Sequence, residues 1–173
     1  YMLIKKWEIE DANELSKVLN NPNILKNLRD GIPYPYTIKH AEEFILEVLN
    51  AKKDSQYCWA IYYDHKVIGS VGVFRQSNIH YRSAEVGYYI SEEYWGKGIM
   101  GEVIKEVCHY IFTNTDIIRI YAEPFEYNIA SCRVLEKASF QLEGTLRNHA
   151  YKNNCILNMK LYSMIKEEEK NYE

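Results

Sequence analysis

Apolar residues recur along this chain in two rhythms, and the changes from one to the other set the expected order of elements. Residues 3–9 (LIKKWEI) read as a short strand. Glu10 and Asp11 break that pattern, and Leu15, Val18 and Leu19 then repeat at helical spacing until Asn20, Asn21 and Pro22 stop the helix. From Asn23 to Tyr36 the chain reads as irregular or half helical around Gly31, Pro33 and Pro35. Thr37 offers an N-cap for a helix over 38–53, whose Ala41, Phe44, Ile45, Val48 and Leu49 make one apolar face. β-branched and aromatic runs follow at 56–63, 66–75 and 83–91, separated by a two-residue turn at Asp64 and His65 and a loop over 76–81, which predicts an antiparallel meander. The rhythm then returns to helix over 102–114, strand over 117–123, helix over 128–138, and two closing strands near 140–151 and 156–164.

The predicted order is therefore β-α-α-β-β-β-α-β-α-β-β, a mixed α+β chain without internal repeat or linker. At 173 residues it fits a single domain over 1–166, with 167–173 as a charged, solvated tail. Hydrophobic residues at 47% and charged residues at 26% suit a folded globular chain that needs neither disulfide nor metal to hold a core. A net charge of -3 lacks the basic excess of a phosphate-backbone binder, so nucleic acid is not the expected partner. Cys58, Cys108, Cys132 and Cys155 form no CxxC pair and have no histidine at ligand spacing, so they read as reduced, mostly structural thiols rather than a metal site. No uncharged apolar stretch approaches the ~18 residues that span a bilayer. A cytoplasmic chain without a membrane partner is the expectation. Its 16 tyrosines suit strands, grooves and interfaces alike.

Chemistry concentrates in residues 88–107 (YYISEEYWGKGIMGEVIKEV), where a strand passes through a glycine-rich turn straight into a helix. Free N–H groups at a helix start, the positive end of its dipole, and glycines that let the backbone approach an anion together make a phosphate cradle. Gly96, Gly98 and Gly101 are the permissive positions, and Lys97 adds charge. A P-loop is excluded because Lys97 is followed by Gly98 instead of Ser or Thr. The three glycines do satisfy GxGxxG, with Glu123 about 20 residues beyond, where a ribose-binding acid belongs. Against a dinucleotide-binding oxidoreductase, SEEYW separates the strand from the first glycine, and the chain supplies one crossover instead of two mononucleotide-binding halves.

Two motifs then carry a resemblance. Trp95, Gly96, Lys97, Gly98, Ile99 and Met100 are similar to the (Q/R)xxGx(G/A) turn of the GCN5-related N-acetyltransferases, and Asn128, Ser131, Leu135, Glu136, Lys137 and Phe140 match a second segment of roughly NxxSxxxLEKxGF. The element order extends the likeness over essentially the whole chain, closest to the branch acting on ribosomal-protein N-termini. The resemblance implies the fold of that superfamily: a mostly antiparallel twisted sheet of about seven strands, splayed between the fourth and fifth. It also implies acetyl-CoA as cosubstrate, no metal, and transfer to a primary amine by direct attack. Two departures stand out, Met100 for the usual small residue and Ser139 for the usual glycine before Phe140.

By the same resemblance, the backbone of Tyr88, Tyr89 and Ile90 pairs with the pantetheine arm, the Ile90 amide polarises the thioester carbonyl, and Trp95 to Gly101 hold the pyrophosphate. Asn128 and Ser131 face the arm, Ser131 beside the sulfur, and Lys137 completes the cofactor set; plain N-capping is the alternative for the first two. Some relatives carry an acid where this chain has Ala150, so the general base is not carried over and falls to Glu85 first, then Glu123, then His149, acting directly or through water. The acceptor groove falls to residues 27–36 and 149–154, which hold too few carboxylates for a polyamine and favour a peptide N-terminus or a small monoamine. A CoA-binding sensor or assembly subunit without turnover is the other reading, and a homodimer is compatible with either.

Overall fold

The computed structural model describes residues 3–169. Its elements, in chain order, are β1 (Ile4–Lys5), α1 (Ala12–Leu19), α2 (Pro22–Leu25), α3 (Ile38–Leu49), β2 (Gln56–Tyr63), β3 (Lys66–Arg75), β4 (Ser83–Ile90), α4 (Ile99–Asn114), β5 (Arg119–Ala122), α5 (Ile129–Lys137), β6 (Gln141–Lys152) and β7 (Cys155–Ile165). The strands form one seven-stranded sheet in the order β1-β2-β3-β4-β5-β7-β6. β4 and β5 run parallel, whereas β1–β2, β5–β7 and β6–β7 are antiparallel. That single crossover through α4 removes the dinucleotide-binding alternative, which needs two successive parallel βαβ halves. The β4–β5 ladder consists of Ser83–Arg119, Ala84–Ile120 and Glu85–Tyr121, so β4 pairs there only through its first residues.

The expected order holds, with two differences. The first strand keeps only two residues, because Trp7 leaves the ladder to pack edge-on against Phe44, ring centroids 5.7 Å apart. Within the stretch read as irregular, Pro22 and the side chain of Asn21, which accepts from the Asn23 N–H, start the four-residue α2. Turn chemistry follows the sequence closely. Asp64 and His65 both take left-handed backbone (φ 55° and 62°), as do Asn153 and Asn154 between β6 and β7, the geometry of two-residue hairpin turns.

Two compact units divide the chain. The first comprises Tyr1–Val73 and Gly87–Lys97. Its core gathers Trp7, Leu15, Leu19, Ile24, Ala41, Ile45 and Ala60, and Thr37 caps α3 by accepting from the His40 N–H at 3.2 Å. The second comprises Phe74–Val86 and Gly98–Glu173. Its buried side chains are the inner face of α4 (Val103, Ile104, Val107, Ile111, Phe112) with Ile117, Ile120, Leu135 and Tyr162. The charged run after β7 is not wholly solvated: Gln141 donates to Glu168 at 2.6 Å, and His109 Nδ1 lies 3.5 Å from Glu169. Residues 170–173, the rest of the expected tail, lie outside the described residues.

All four cysteines are free thiols. Burial pushes Cys58 up to about 11 and raises Cys108 and Cys132 as well, while Cys155 is exposed on the β6–β7 hairpin. At pH 8 the Cys58 thiol is therefore ionised to only about one part in a thousand. One thiol per chain, that of Cys155, is therefore expected to react rapidly with Ellman's reagent in native protein, and the other three only on unfolding; a C155S variant silent in the native assay checks the assignment.

Candidate active site

Local strain and local charge explain how the glycine-rich turn is built. Gly96 (φ 75°) and Gly98 (φ 78°) are both left-handed, and no atom lies within 4 Å of where a side chain would begin at either. Gly98 is the N-cap of the sixteen-residue α4, whose first amides face outward from the helix. Ile99 and Met100 are buried, so only their backbones are open to a ligand, and Met100 fits where a smaller residue was expected because it points into the core. Trp95 staples the turn to the end of β4, its indole N–H donating to the Ile90 carbonyl at 3.0 Å.

Two carboxylates stand next to this turn, and both are drawn elsewhere. Asn21 and Asn23 donate to Glu92 at 2.8 and 3.1 Å, which holds its carboxyl below the usual range, and Lys66 pairs with Glu93 at 3.4 Å. Lys66 and Lys97 both lie over the Tyr94 ring, 5.6 and 5.7 Å from its centroid. Both carboxylates are thus engaged by other side chains, and the free amides at the start of α4, with Lys97, offer the positive end that an anion cradle requires.

On β4 the side chain of Tyr89 turns inward against the first unit's core. Its burial, with the nearby Tyr36 phenol, raises its pKa despite a hydrogen bond with Ser70. Only the Tyr89 backbone can serve a ligand. Tyr36, pushed up to about 12 by burial and then by Glu43 and Glu47, stays a neutral hydroxyl near pH 7.

In the second unit Asn128 caps α5, its side chain accepting from the Ser131 N–H at 3.2 Å. The capping role is thus real, and the same bond fixes Ser131 in the first turn. Lys137 ends the same helix, about 9 Å from Ser131 and about 13.5 Å from Asn128 along its axis at 1.5 Å per residue. Ser139 takes left-handed backbone (φ 72°) just after the helix, where glycine is the usual resident. Changing Ser139→Gly is expected to stabilise the protein by about 1 kcal/mol, read as a rise in thermal midpoint.

The three candidate bases are not equivalent. Glu85 pairs in register with Tyr121, and strand alternation puts Glu85, Tyr121 and Glu123 on one face of the sheet. Glu123, just past β5, meets His149 of β6, Nε2 to Oε1 at 3.0 Å. A β-bulge makes that meeting. The ladder pairs Leu146 with Met159 and Ala150 with Leu157, so Arg147, Asn148 and His149 oppose Asn158 alone. Asn158 was not singled out from sequence; its Oδ1 accepts from the Asn148 N–H at 2.8 Å, its Nδ2 donates to Glu126 at 3.3 Å, and Asn148 sits at φ 52°. A cavity of about 680 Å³ opens here, lined by Thr145, Leu146, Arg147, Asn148, His149 and Asn158.

Residues 2–141 match the family model described as an acetyltransferase (GNAT) domain. The chain belongs to the GNAT acetyltransferase family. An uncharacterized N-acetyltransferase from Bacillus licheniformis is 27% identical to this GNAT chain over 171 residues, 96% of this chain and 94% of its own. The crystal structure of ribosomal-protein-S5-alanine acetyltransferase from Vibrio fischeri superposes with a TM-score of 0.85 at 22% identity, covering 99% of this chain and 97% of that one. Spermidine N-acetyltransferase from Vibrio cholerae, solved with CoA and spermine, gives a TM-score of 0.81 at 24% identity over 97% of each chain. Both confirm the expected fold. No helix among the described residues is long and apolar enough to cross a membrane, and no group of three or more His, Cys, Asp or Glu among them is arranged to hold a metal ion.

Proposed function

We propose that this GNAT enzyme acetylates a primary amine, on a peptide or protein N-terminus or a small monoamine, by direct attack with both substrates bound. One observation carries the cofactor side of the reading: the open, left-handed Gly96–Gly98 turn at the start of α4, with Glu92 and Glu93 engaged by other side chains. Acetyl-CoA supplies a thioester whose acetyl carbon is the electrophile. The turn from Trp95 to Gly101 holds its pyrophosphate, Lys97 adds charge, and Lys137 belongs to the same cofactor set. The backbone of Tyr88, Tyr89 and Ile90 pairs with the pantetheine arm, and the Ile90 amide polarises the carbonyl.

In the transfer a C–N bond forms as the C–S bond breaks, and the sulfur leaves with the bonding pair, stabilised by the Ser131 hydroxyl. The amine's proton passes to the Glu123–His149 pair, which the hydrogen bond between them favours over Glu85. The acceptor class rests on the cavity lining, whose own residues include Arg147 and no carboxylate, while Glu123 and Glu126 behind it are engaged by His149 and Asn158. The Vibrio cholerae neighbour is a spermidine acetyltransferase and the Vibrio fischeri neighbour acts on a ribosomal protein; a guanidinium in the cavity argues against a polyamine and for the second kind of acceptor. The whole chain up to residue 166 works as one acetyltransferase domain in the cytoplasm, a setting that four unpaired thiols suit.

Calorimetric titration of acetyl-CoA, followed by thiol release across N-terminal peptides, monoamines and spermine, tests this reading. Binding with release on a peptide or monoamine is expected. Release on spermine alone would overturn the acceptor class, and absence of acetyl-CoA binding would overturn the function.

A further inference from the structure

We propose that Asn158 is a positioning residue for catalysis, which locks the β6 bulge so that His149, set by Glu123, is the proton acceptor of the transfer; this rests on the acetyltransferase reading. The bulge carries two residues more than its partner strand between Leu146–Met159 and Ala150–Leu157. Left to itself, such an insertion is a poor place to hold a side chain, because its backbone has lost ladder partners. Here one side chain replaces them. Asn158 Oδ1 takes the Asn148 N–H at 2.8 Å, and Glu126 holds the carboxamide from the other side at 3.3 Å. With Asn148 fixed at φ 52°, the next residue swings toward the end of β5, and His149 Nε2 arrives 3.0 Å from Glu123 Oε1.

That contact selects a tautomer. A carboxylate accepts only, so Nε2 carries the proton and Nδ1 keeps its lone pair. His149 is half exposed in the 680 Å³ cavity while Glu123 is mostly covered, which leaves the imidazole as the member that an incoming amine can reach. The ammonium proton is transferred to Nδ1 before or as the C–N bond forms, and the Glu123 carboxylate stabilises the resulting imidazolium. Glu123 is thereby a positioning and charge-stabilising group, and Ala150, paired regularly with Leu157, needs no acid.

Two readouts test the lock. The ¹⁵N shifts of the His149 ring at one neutral pH are expected to show the Nε2–H tautomer in the wild-type protein and a tautomer mixture in N158A. Turnover of an accepted amine by N158A is expected to fall about 10- to 100-fold in kcat with the acetyl-CoA KM unchanged, the usual scale for losing a support behind a catalytic group. The double variant E126Q/N158D reverses the donor and acceptor of one bond and keeps the acceptor for the Asn148 N–H, so it is expected to restore tautomer and kcat. Unchanged ring shifts and kcat in N158A would overturn the lock, as would loss of function in E126Q/N158D with the tautomer intact. Failure of the underlying reading would look different: wild-type protein with the stated tautomer but no thiol release on any amine, which would overturn the proton-acceptor role.

Discussion

Gly69→Ala is expected to be the most damaging single-methyl change in this protein, lowering stability by about 3 kcal/mol or more and weakening acetyl-CoA binding in whatever fraction still folds. A methyl at residue 69 of β3 would start 2.2 Å from the Tyr89 carbonyl oxygen and 2.9 Å from Ile90 Cα. Both are backbone atoms, so no side chain can rotate away, and β4 itself has to move. The same stretch of β4 receives the Trp95 indole at the Ile90 carbonyl, and Ser91 donates to Ile68 at 2.7 Å. A displaced β4 therefore loosens the glycine turn from below. Gly144→Ala is the matching control, since its added methyl meets open space on β6, and a change within about 0.5 kcal/mol is expected. Urea unfolding of the two variants, with acetyl-CoA titration of the survivors, decides the matter. Equal midpoints for G69A and G144A would mean that β3 and β4 are not as tightly opposed as the backbone indicates.

Much of the fold was legible because its decisive points are local. Asp64–His65 announces a hairpin through residues that tolerate positive φ, and Thr37 announces α3 through its cap. The cofactor side of the site is local too, a strand, a turn and a helix consecutive in sequence. The proton-transfer side is not. Glu123 and His149 lie 26 positions apart and meet only because β7 sits between β5 and β6 in the sheet and because a bulge turns β6. Nothing in RNHAY advertises a bulge of two extra residues apart from Asn148, and nothing marks Asn158, an asparagine in a strand, as its support. Sequence reasoning therefore reached both carboxylates and the histidine as separate candidates, without the pairing. The tail shows the same limit: Glu168 and Glu169 read as solvated charge because their partners, Gln141 and His109, are remote in sequence.

The second large effect belongs to the turn, where two causes act together and can be separated. Gly96→Ala or Gly98→Ala is expected to cost about 1–2 kcal/mol in stability each, the price of left-handed backbone for a residue with a side chain. Neither methyl clashes with protein, since nothing lies within 4 Å of its position. A loss of acetyl-CoA affinity beyond that strain must therefore come from the methyl filling space that the pyrophosphate uses, and a 10- to 100-fold rise in Kd is expected on the scale of about 1.4 kcal/mol per factor of ten. Gly98→Asn isolates this cause. Asparagine adopts left-handed backbone at less cost than alanine, so G98N should keep closer to the wild-type melting temperature than G98A. Its side chain still occupies the cradle, and the affinity should remain reduced at least 10-fold. Lys97→Ala completes the comparison. The ammonium lies over the Tyr94 ring and acts as an exposed point charge, so only a few-fold loss, vanishing at high salt, is expected. If G98N bound acetyl-CoA as tightly as wild type while K97A did not, the anion would be held by the lysine and not by the amides at the start of α4, and the role given to the glycines would have to be withdrawn.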